Sequence, residues 1–315
     1  MNLLPVEPAH RLAARAEERR WLVTGLWAEE AVGIVGGEPK CCKSFLALDL
    51  AVSVAAGTPC LRRFPVSRAG RVLLYAAEDA LHVVRRRLEG ICTAAGVALR
   101  DLDVQVITAP TVRLDLAADR ASLEETVAKL GPRLLVLDPF VRLHRIDENA
   151  SGEVAPILAY LRELQRRHGV AVALVHHAKK GGGRARAGQA LRGSSEFHAW
   201  GDSNLYLRRH GDDLTLTVEH RAAPSVPALA LELAQRGDAL ALEVVDRGAP
   251  RDPPPIASVD DRITRILADA PGPTTLAALR ASLRIRNAML YARLAALTAA
   301  GALVRSPHGY RLAGR

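Results

Sequence analysis

The chain has 315 residues, of which 49% are hydrophobic and 24% charged, a composition that excludes an intrinsically disordered protein and allows two domains. The formal net charge is +9, which favours a polyanionic partner such as nucleic acid. No apolar run approaches the roughly 20 residues that span a bilayer, and the cysteines lack the spacings of a zinc site or a disulfide framework.

An α/β domain is predicted for residues 21–245, after a lead segment at 1–20. The lead segment has no apolar core of signal-peptide length, so we expect a cytoplasmic protein without a membrane partner. From residue 31, apolar strand-length runs alternate with helical patterns: AVGIV, VLLYAA, VQVIT, LLVLD and VAVALVHH. This alternation is typical of a mainly parallel sheet covered on both faces. After Gly201, shorter runs with tight turns predict antiparallel strands that extend the sheet.

The first strand leads into GGEPKCCKS, residues 36–44. The pattern G-x-x-x-x-G-K-[ST] between a strand and a helix places backbone N–H groups around phosphates, with Lys on the β- and γ-phosphates and the hydroxyl on Mg²⁺. Gly37, Lys43 and Ser44 match it, whereas Cys42 stands in place of the second glycine. The residues predicted to bind nucleotide are Gly37, Glu38, Pro39, Lys40, Cys41, Cys42, Lys43, Ser44 and Phe45.

Cys42 raises the question of whether this loop still binds nucleotide. Cysteine is small enough to be accommodated if the local backbone angles are near helical. The alternatives are a loop that has lost its ligand, an ordinary glycine turn, and a reactive thiol under redox control at a helix N-terminus. We favour a substitution that preserves nucleotide binding, because the strand–loop–helix context and the Lys-Ser pair are retained.

Acidic residues follow two of the predicted strands. Glu78 comes after VLLYAA, where a carboxylate can orient and deprotonate the water that attacks a γ-phosphate. Asp138 ends LLVLD, the position of a Walker-B aspartate that reaches Mg²⁺, and with Ser44 it forms the predicted metal site. The alternative is that Glu78 and Asp79 only cap the following helix, and we expect Asp79 to act as a cap in either case.

His176 and His177 end the next strand and should point to opposite faces of it. No third metal ligand is evident nearby, so we interpret one as a sensor of the γ-phosphate and the other as facing the sheet or the loop that follows. That loop, residues 179–193, is rich in glycine and basic residues, which is typical of a functional or mobile segment.

The combination of GGEPKxxKS, YAAED, LLVLDPF, DENASG, HHAKK and RGSS resembles the RepA-like hexameric replicative helicases of plasmids and phages, in the RecA/DnaB branch of P-loop ATPases. The resemblance covers about residues 21–221. It implies a RecA-like core that assembles into rings and hydrolyses Mg-ATP at subunit interfaces. By residue match it implies Lys43 and Ser44 on phosphate and Mg²⁺, Glu78 as catalytic base, Asp138 as Walker-B acid, His177 in the sensor motif and Arg87 as a further family arginine.

The resemblance also implies contacts with DNA and with a neighbouring subunit. In the family, the segment between the sensor histidines and RGSS lines the central channel and touches single-stranded DNA. The corresponding residues are Lys179, Lys180, Arg184, Arg186 and Arg192, and the alternative is a solvated loop without a ligand. Arg221, after the strand TLTVEH, matches the place of an arginine finger to the neighbour's γ-phosphate, with His220 as second choice.

A second domain is predicted beyond a linker at residues 246–258, which holds four prolines. Residues 259–315 have the pattern of three helices and a hairpin, as in a winged helix, and 256–315 hold nine Arg and three Asp without Lys or Glu. A winged helix would present Arg286, Asn287 and Arg293 to the major groove of DNA, and Arg305 and Arg311 from its wing. The alternatives are a winged helix that docks a protein, and an Arg-rich composition from a GC-rich genome.

The fold class predicted is therefore α/β, a RecA-like P-loop NTPase core with a mainly parallel sheet, plus a small C-terminal winged helix-turn-helix domain. The predicted function is Mg-dependent ATP hydrolysis linked to DNA, as a hexameric helicase or accessory motor in plasmid or mobile-element replication. Two alternatives remain: a DNA-binding regulator that uses nucleotide as a switch without hydrolysis, and a RecA-like regulatory ATPase without helicase action.

Overall fold

The computed structural model describes residues 4, 6–12, 20–177, 196–224, 226–246, 259–270, 272–283 and 287–313. The chain divides into two compact units, Met1–Ala249 and Pro250–Arg315. Within the described ranges, no helix is long and apolar enough to cross a bilayer. The lead segment contributes a short 3-10 helix, Ala9–Arg11.

A large sheet lies at the centre of the first unit, preceded by a short hairpin of β1 (Trp21–Val23) and β2 (Trp27–Ala28). In chain order its strands are β3 (Val32–Gly37), β4 (Val72–Ala76), β5 (Val104–Val106), β6 (Leu134–Asp138), β7 (Ala171–His177), β8 (Ser203–His210), β9 (Asp213–His220), β10 (Leu229–Arg236) and β11 (Ala239–Val244). Among the described residues, these nine strands form one sheet in the order β11-β10-β9-β8-β3-β7-β6-β4-β5.

The mode of strand pairing changes once across this sheet, from parallel to antiparallel. Neighbours from β8 to β5 pair in parallel, whereas β9, β10 and β11 pair antiparallel. This confirms the prediction of an α/β fold with a large, mostly parallel sheet. Because β3 lies between β7 and β8, the loop that follows β3 leaves from the middle of the sheet.

Helices cover both faces of the sheet, as the continuous apolar strands require. They are α1 (Lys43–Ala56), α2 (Leu81–Ala95), α3 (Ala117–Leu130), α4 (Ser151–His168) and α5 (Glu196–Trp200). Residues of α1 and α2 join the core on one face, and residues of α3, α4 and α5 join the core on the other. Ile34 and Val35, neighbours in β3, belong to opposite cores because successive strand side chains alternate.

Two local features fix β3 and α1. A Cβ at Gly33 would stand 1.7 Å from the carbonyl oxygen of Ser203, so glycine allows β8 to approach β3. Asp49 of α1 is fully buried and accepts a hydrogen bond from the Leu61 N–H at 2.8 Å and another from the Arg62 guanidinium. Arg62 also donates to the carbonyl of Leu242 in β11 at 2.6 Å. The buried ion pair therefore ties α1 to the edge of the sheet.

The described part of the second unit consists of α6 (Val259–Asp269), α7 (Leu276–Leu283), α8 (Asn287–Ala299) and a hairpin of β12 (Leu303–Ser306) and β13 (Gly309–Leu312). A bridge between Thr274 and Tyr310 joins the segment before α7 to the hairpin. These elements bury a core of their own: Ile263, Leu267, Leu279, Leu283, Leu290, Leu294 and Leu303.

Candidate nucleotide-binding site

The carboxyl ends of β3, β4, β6 and β7 meet at one edge of the sheet, the place where α/β proteins bind ligands. The register places Gly37 opposite His177, and Ala76 opposite Asp138. This edge collects most of the residues that the sequence assigns to ATP hydrolysis: Gly37, Lys43, Ser44, Glu78, Asp138 and His177.

The loop between β3 and α1 depends on unusual backbone angles. Gly37 has φ 154°, and a Cβ there would lie 2.3 Å from the carbonyl oxygen of Leu207 and 2.6 Å from Sγ of Cys41. Lys40 has φ 64°. Glycine is therefore required at the first position of the motif, and the loop holds non-glycine residues in the left-handed region.

Cys42 is one of those residues, with φ 64° and ψ 24°, as the N-cap of α1. The condition under which cysteine would fit easily, near-helical backbone angles, is not met, because the loop turns through the left-handed region immediately before Lys43 starts the helix. A side chain in that region costs about 1–2 kcal/mol. The Cys42 thiol packs at the edge of the apolar core, and Sγ lies 3.5 Å from Nη2 of Arg209 in β8.

Lys43, the first residue of α1, is only 5% exposed. Its Nζ donates a hydrogen bond to the carbonyl oxygen of Glu38 at 2.7 Å and lies 3.9 Å from Sγ of Cys41. Burial lowers the pKa of Lys43, while Cys41 and the carboxylates of Asp138 and Glu78 favour its charged form. The loop thus holds an ammonium group beside two acids, where it can bind phosphate oxygens.

Asp138 lies at the end of β6 and is 8% exposed. Burial raises the pKa of Asp138 to about 6; Asp79 and Glu78 act in the same direction, and Ser44 and Lys43 oppose it. A carboxylate beside a hydroxyl is a hard oxygen donor set that suits Mg²⁺. Over the described ranges, no cluster of three His, Cys, Asp or Glu could hold a metal ion alone. This is compatible with Mg²⁺, which is usually held by one or two side chains together with substrate phosphates.

Glu78 lies just beyond β4, and its side chain is 41% exposed. Its Oε1 accepts a hydrogen bond at 2.9 Å from Nε of Arg142, in a short 3-10 helix (Phe140–Arg142) that follows β6. Sequence reasoning missed Arg142, because the two residues are 64 positions apart and no motif contains both of them.

Asp79 does not cap α2, contrary to expectation. The N-cap residue is Ala80, without a side-chain hydrogen bond, and Asp79 forms an ion pair with Arg87 instead. Since α2 starts at Leu81, Asp79 stands one residue before the N-cap position, and its carboxylate pairs with the guanidinium one residue beyond two turns of the helix instead. Arg87 also lies 5.3 Å above the ring of Phe45. The arginine that the family resemblance singled out therefore contacts α1 as well as Asp79.

The two histidines differ in their surroundings. His176 is 1% exposed and stacks on Phe197 at 4.2 Å between ring centroids, with Phe140 edge-on at 5.7 Å. His177 is half-buried, points to the other face, and lies opposite Gly37. This places His177 beside the start of the loop.

Arg221 and His220 lie away from this site within the chain. His220 pairs with Ser203 about 13 Å along the strands from Gly37, and Arg221 pairs with Asp202, beside the amino end of β3, about 17 Å from Gly37. Arg221 contacts Asp202 at 3.4 Å and the carbonyl of Trp200 at 3.3 Å, and its side chain is 53% exposed. His220 contacts the Gly25 carbonyl at 3.1 Å and Ser203 Oγ at 3.2 Å.

Most of the residues predicted to bind DNA fall outside the described ranges: Lys179, Lys180, Arg184, Arg186, Arg192 and Arg286. Arg293 of α8 is described, and its Nε donates to Asp260 of α6 at 2.8 Å. Its guanidinium is thus already paired with a carboxylate within the second unit. Arg305 of β12 lies 6.0 Å from the centre of the Tyr310 ring.

Comparisons with known proteins agree with this geometry. A family model described as an AAA domain matches residues 2–183, more than half of the chain. The crystal structure of the RadB recombinase superposes with a TM-score of 0.51 and 18% identity, over 69% of this chain and 92% of that one. A second solved structure, the ATPase domain of another protein, gives a TM-score of 0.50 and 13% identity, over 68% of this chain and 85% of that one. These matches confirm a RecA-like P-loop core, and the narrower RepA-like family stays a prediction.

Proposed function

Because the chain belongs to the AAA domain family, we propose that it is a magnesium-dependent ATPase of the cytoplasm. The observation that carries this proposal is the buried Asp138 at the end of β6, whose carboxylate lies near enough to Ser44 and Lys43 for both to favour its charged form. A buried carboxylate, a hydroxyl and a cation at the start of a helix are the groups that Mg-ATP requires. Glu78, which is partly exposed at the same edge of the sheet, would supply the base that deprotonates water.

The residues would act as follows. Lys43 exchanges its hydrogen bond with the Glu38 carbonyl for oxygens of the β- and γ-phosphates. Ser44 and Asp138 hold Mg²⁺, which supplies charge neutralisation on the phosphates when bound. Glu78 accepts the proton of the attacking water, and His177, beside Gly37, contacts the γ-phosphate.

The proposal extends to a ring-forming motor that acts on DNA, as a RepA-like helicase or an accessory ATPase in plasmid or mobile-element replication. Support comes from Arg221, which is half-exposed about 17 Å from its own loop and is thus suited to serve a neighbour's site rather than its own. The basic residues of the segment 179–192 would contact single-stranded DNA through phosphates.

The second unit is proposed to be a winged helix that binds duplex DNA, with its wing residues Arg305 and Arg311 on phosphates. Protein docking is a second candidate for this unit. It is favoured by the pairing of Arg293 with Asp260 and by Tyr291, which is 55% exposed on the same helix. Salt dependence separates the two candidates, because phosphate contacts weaken steeply with ionic strength.

The test is ATP turnover by the full chain, with and without Mg²⁺ and single-stranded DNA, together with the oligomer mass in the same sample. We expect Mg-dependent turnover by a ring-sized assembly, stimulated by DNA. Nucleotide binding without turnover in any condition would favour the nucleotide-switched regulator. Turnover of ATP at the same rate with and without DNA would favour a regulatory ATPase without helicase action.

A further inference from the structure

We propose that Arg142 is a positioning residue that holds the carboxylate of Glu78 in place for proton transfer. The inference rests on the ATPase function proposed above. The observation that motivates it is the hydrogen bond of 2.9 Å from Nε of Arg142 to Oε1 of Glu78. It leaves the second carboxylate oxygen available to accept a proton from water.

The fold fixes the backbone on both sides of this contact. Arg142 is flanked by Phe140 and Leu143, which are both fully buried, while its own side chain is 61% exposed. On the other side, the N–H of Ala77 donates to the carbonyl of Asp138 at 2.7 Å, directly before Glu78. Both partners are therefore held against β6, and only their side chains project to the open edge.

The charges around Glu78 explain why a positioning cation is needed. Glu78 is near enough to Lys43 for the carboxylate to favour the charged form of the ammonium. Without another partner, Glu78 is drawn toward Lys43, where it would compete with phosphate. Two acids at this edge have separate guanidinium partners instead: Glu78 pairs with Arg142, and Asp79 pairs with Arg87. Arg142 thus keeps the base apart from the phosphate-binding cation.

Stability does not account for the contact. Ion pairs between exposed side chains contribute little to folding, and the two side chains here are 61% and 41% exposed. Substitution of Arg142 should therefore leave folding nearly unchanged, so that a change in turnover reports on the reaction.

The experiment compares Arg142→Gln and Arg142→Lys with Arg145→Gln in the full chain. Arg145→Gln is the matched control, since it removes the same charge three residues further along the same loop. For Arg142→Gln we expect kcat to fall about tenfold, with KM for ATP, the Kd for ADP by calorimetry and the melting temperature close to wild type. Arg142→Lys should recover part of kcat, and Arg145→Gln should resemble wild type.

A double-mutant cycle with Glu78→Gln isolates the coupling. If Arg142 acts through Glu78, adding Arg142→Gln to Glu78→Gln lowers kcat no further. The inference is overturned if the two effects add, if Arg142→Gln behaves like Arg145→Gln, or if it raises kcat. Those results leave the ATPase proposal intact as long as wild type turns over ATP and Glu78→Gln does so measurably but far more slowly. A wild-type chain without turnover overturns both.

Discussion

Arg209 of β8 approaches Cys42 of the phosphate-binding loop, with Nη2 3.5 Å from Sγ. The contact links the loop to the strand beside β3 at the very residue that departs from the P-loop motif. Since Cys42 also adopts left-handed backbone angles, its side chain gains one contact while its backbone carries strain.

Cys42→Gly is expected to stabilise the protein. Relief of about 1–2 kcal/mol of left-handed strain exceeds the roughly 0.5–1 kcal/mol that glycine adds in chain entropy. The free energy of unfolding, measured in urea, should rise by roughly 0.5–1 kcal/mol, and ATP turnover should equal or exceed that of wild type. Cys42→Ala is the control, because alanine loses the thiol and keeps the strain. A glycine variant no more stable than the alanine variant would contradict the argument, and a complete loss of activity would give the cysteine a role of its own.

Lys43→Ala should abolish ATP turnover and weaken nucleotide binding, because the ammonium inside the loop is the cation assigned to the β- and γ-phosphates. Binding of ATP with Mg²⁺ by calorimetry and turnover by phosphate release check this. Lys129→Ala is the control. It removes the same charge from an exposed position of α3, distant in sequence from the phosphate-binding loop, and should change neither binding nor turnover. Unchanged turnover in Lys43→Ala would mean that the loop is misassigned.

His220 should make stability sensitive to acid. Its pKa is lowered from the ordinary 6.5, mainly by burial, while its contact with the Gly25 carbonyl opposes the shift. A histidine with a lowered folded pKa binds more protons when unfolded, so it favours folding above about 6.5 and loses that contribution as pH falls. His220→Asn should therefore show a shallower loss of unfolding free energy between about pH 7 and pH 5. An identical slope in both proteins would show that His220 does not titrate in this range.

Arg221 is expected to act across a subunit interface. Arg221→Ala should lower kcat by about 10³ or more while ATP binding persists. Mixing Arg221→Ala with Lys43→Ala should restore part of the turnover, because the second variant supplies Arg221 to the intact loop of the first. Arg162→Ala is the comparison, since Arg162 also pairs with Asp202 but is 19% exposed, and we expect it to lower stability instead. No recovery in the mixture would argue against action in trans.

Replacing Lys179, Lys180, Arg184 and Arg186 together with Ala should weaken binding to single-stranded DNA and reduce the salt dependence of that binding. Fluorescence anisotropy of a labelled oligonucleotide at several salt concentrations measures both. Replacing Arg305 and Arg311 with Ala is the counterpart in the second unit, and should affect duplex DNA instead. If the fourfold variant lost only duplex binding, the segment would not be the single-strand contact.

The central strands of the parallel sheet, such as β6 and β7, could be predicted because they are buried on both faces. LLVLD matches β6 at Leu134–Asp138, and VAVALVHH contains β7 at Ala171–His177. Both are continuous apolar runs, whose length sets the strand boundaries. The edge where Lys43, Glu78 and Asp138 meet follows from the parallel order alone, since Asp138 ends a strand, Glu78 comes two residues after one, and Lys43 starts a helix.

Features that depend on contacts distant in sequence could not be predicted. The hairpin β1–β2 has strands of three and two residues, too short to show the alternation of apolar and polar residues that predicts a strand. It is held by the buried Trp27 and by a hydrogen bond from the N–H of Ala28 to Ser203 Oγ. Asp79 pairs with Arg87 instead of capping α2, and Arg87 lies about two helical turns further along the chain. The angles of Cys42 depend on the path of the loop, which composition does not specify.

Strands β8 and β9 have a consequence for how copies of the chain would work together. Arg209, beside the loop of its own subunit, and Arg221, assigned to a neighbour's site and directly after β9, are separated by about 23 Å along the paired strands. In the ring proposed above, the hairpin of β8 and β9 would act as a spacer of fixed length between consecutive nucleotide sites. Its length in residues would set the spacing of a ring, and a deletion of one residue in either strand would turn these arginines to the opposite face.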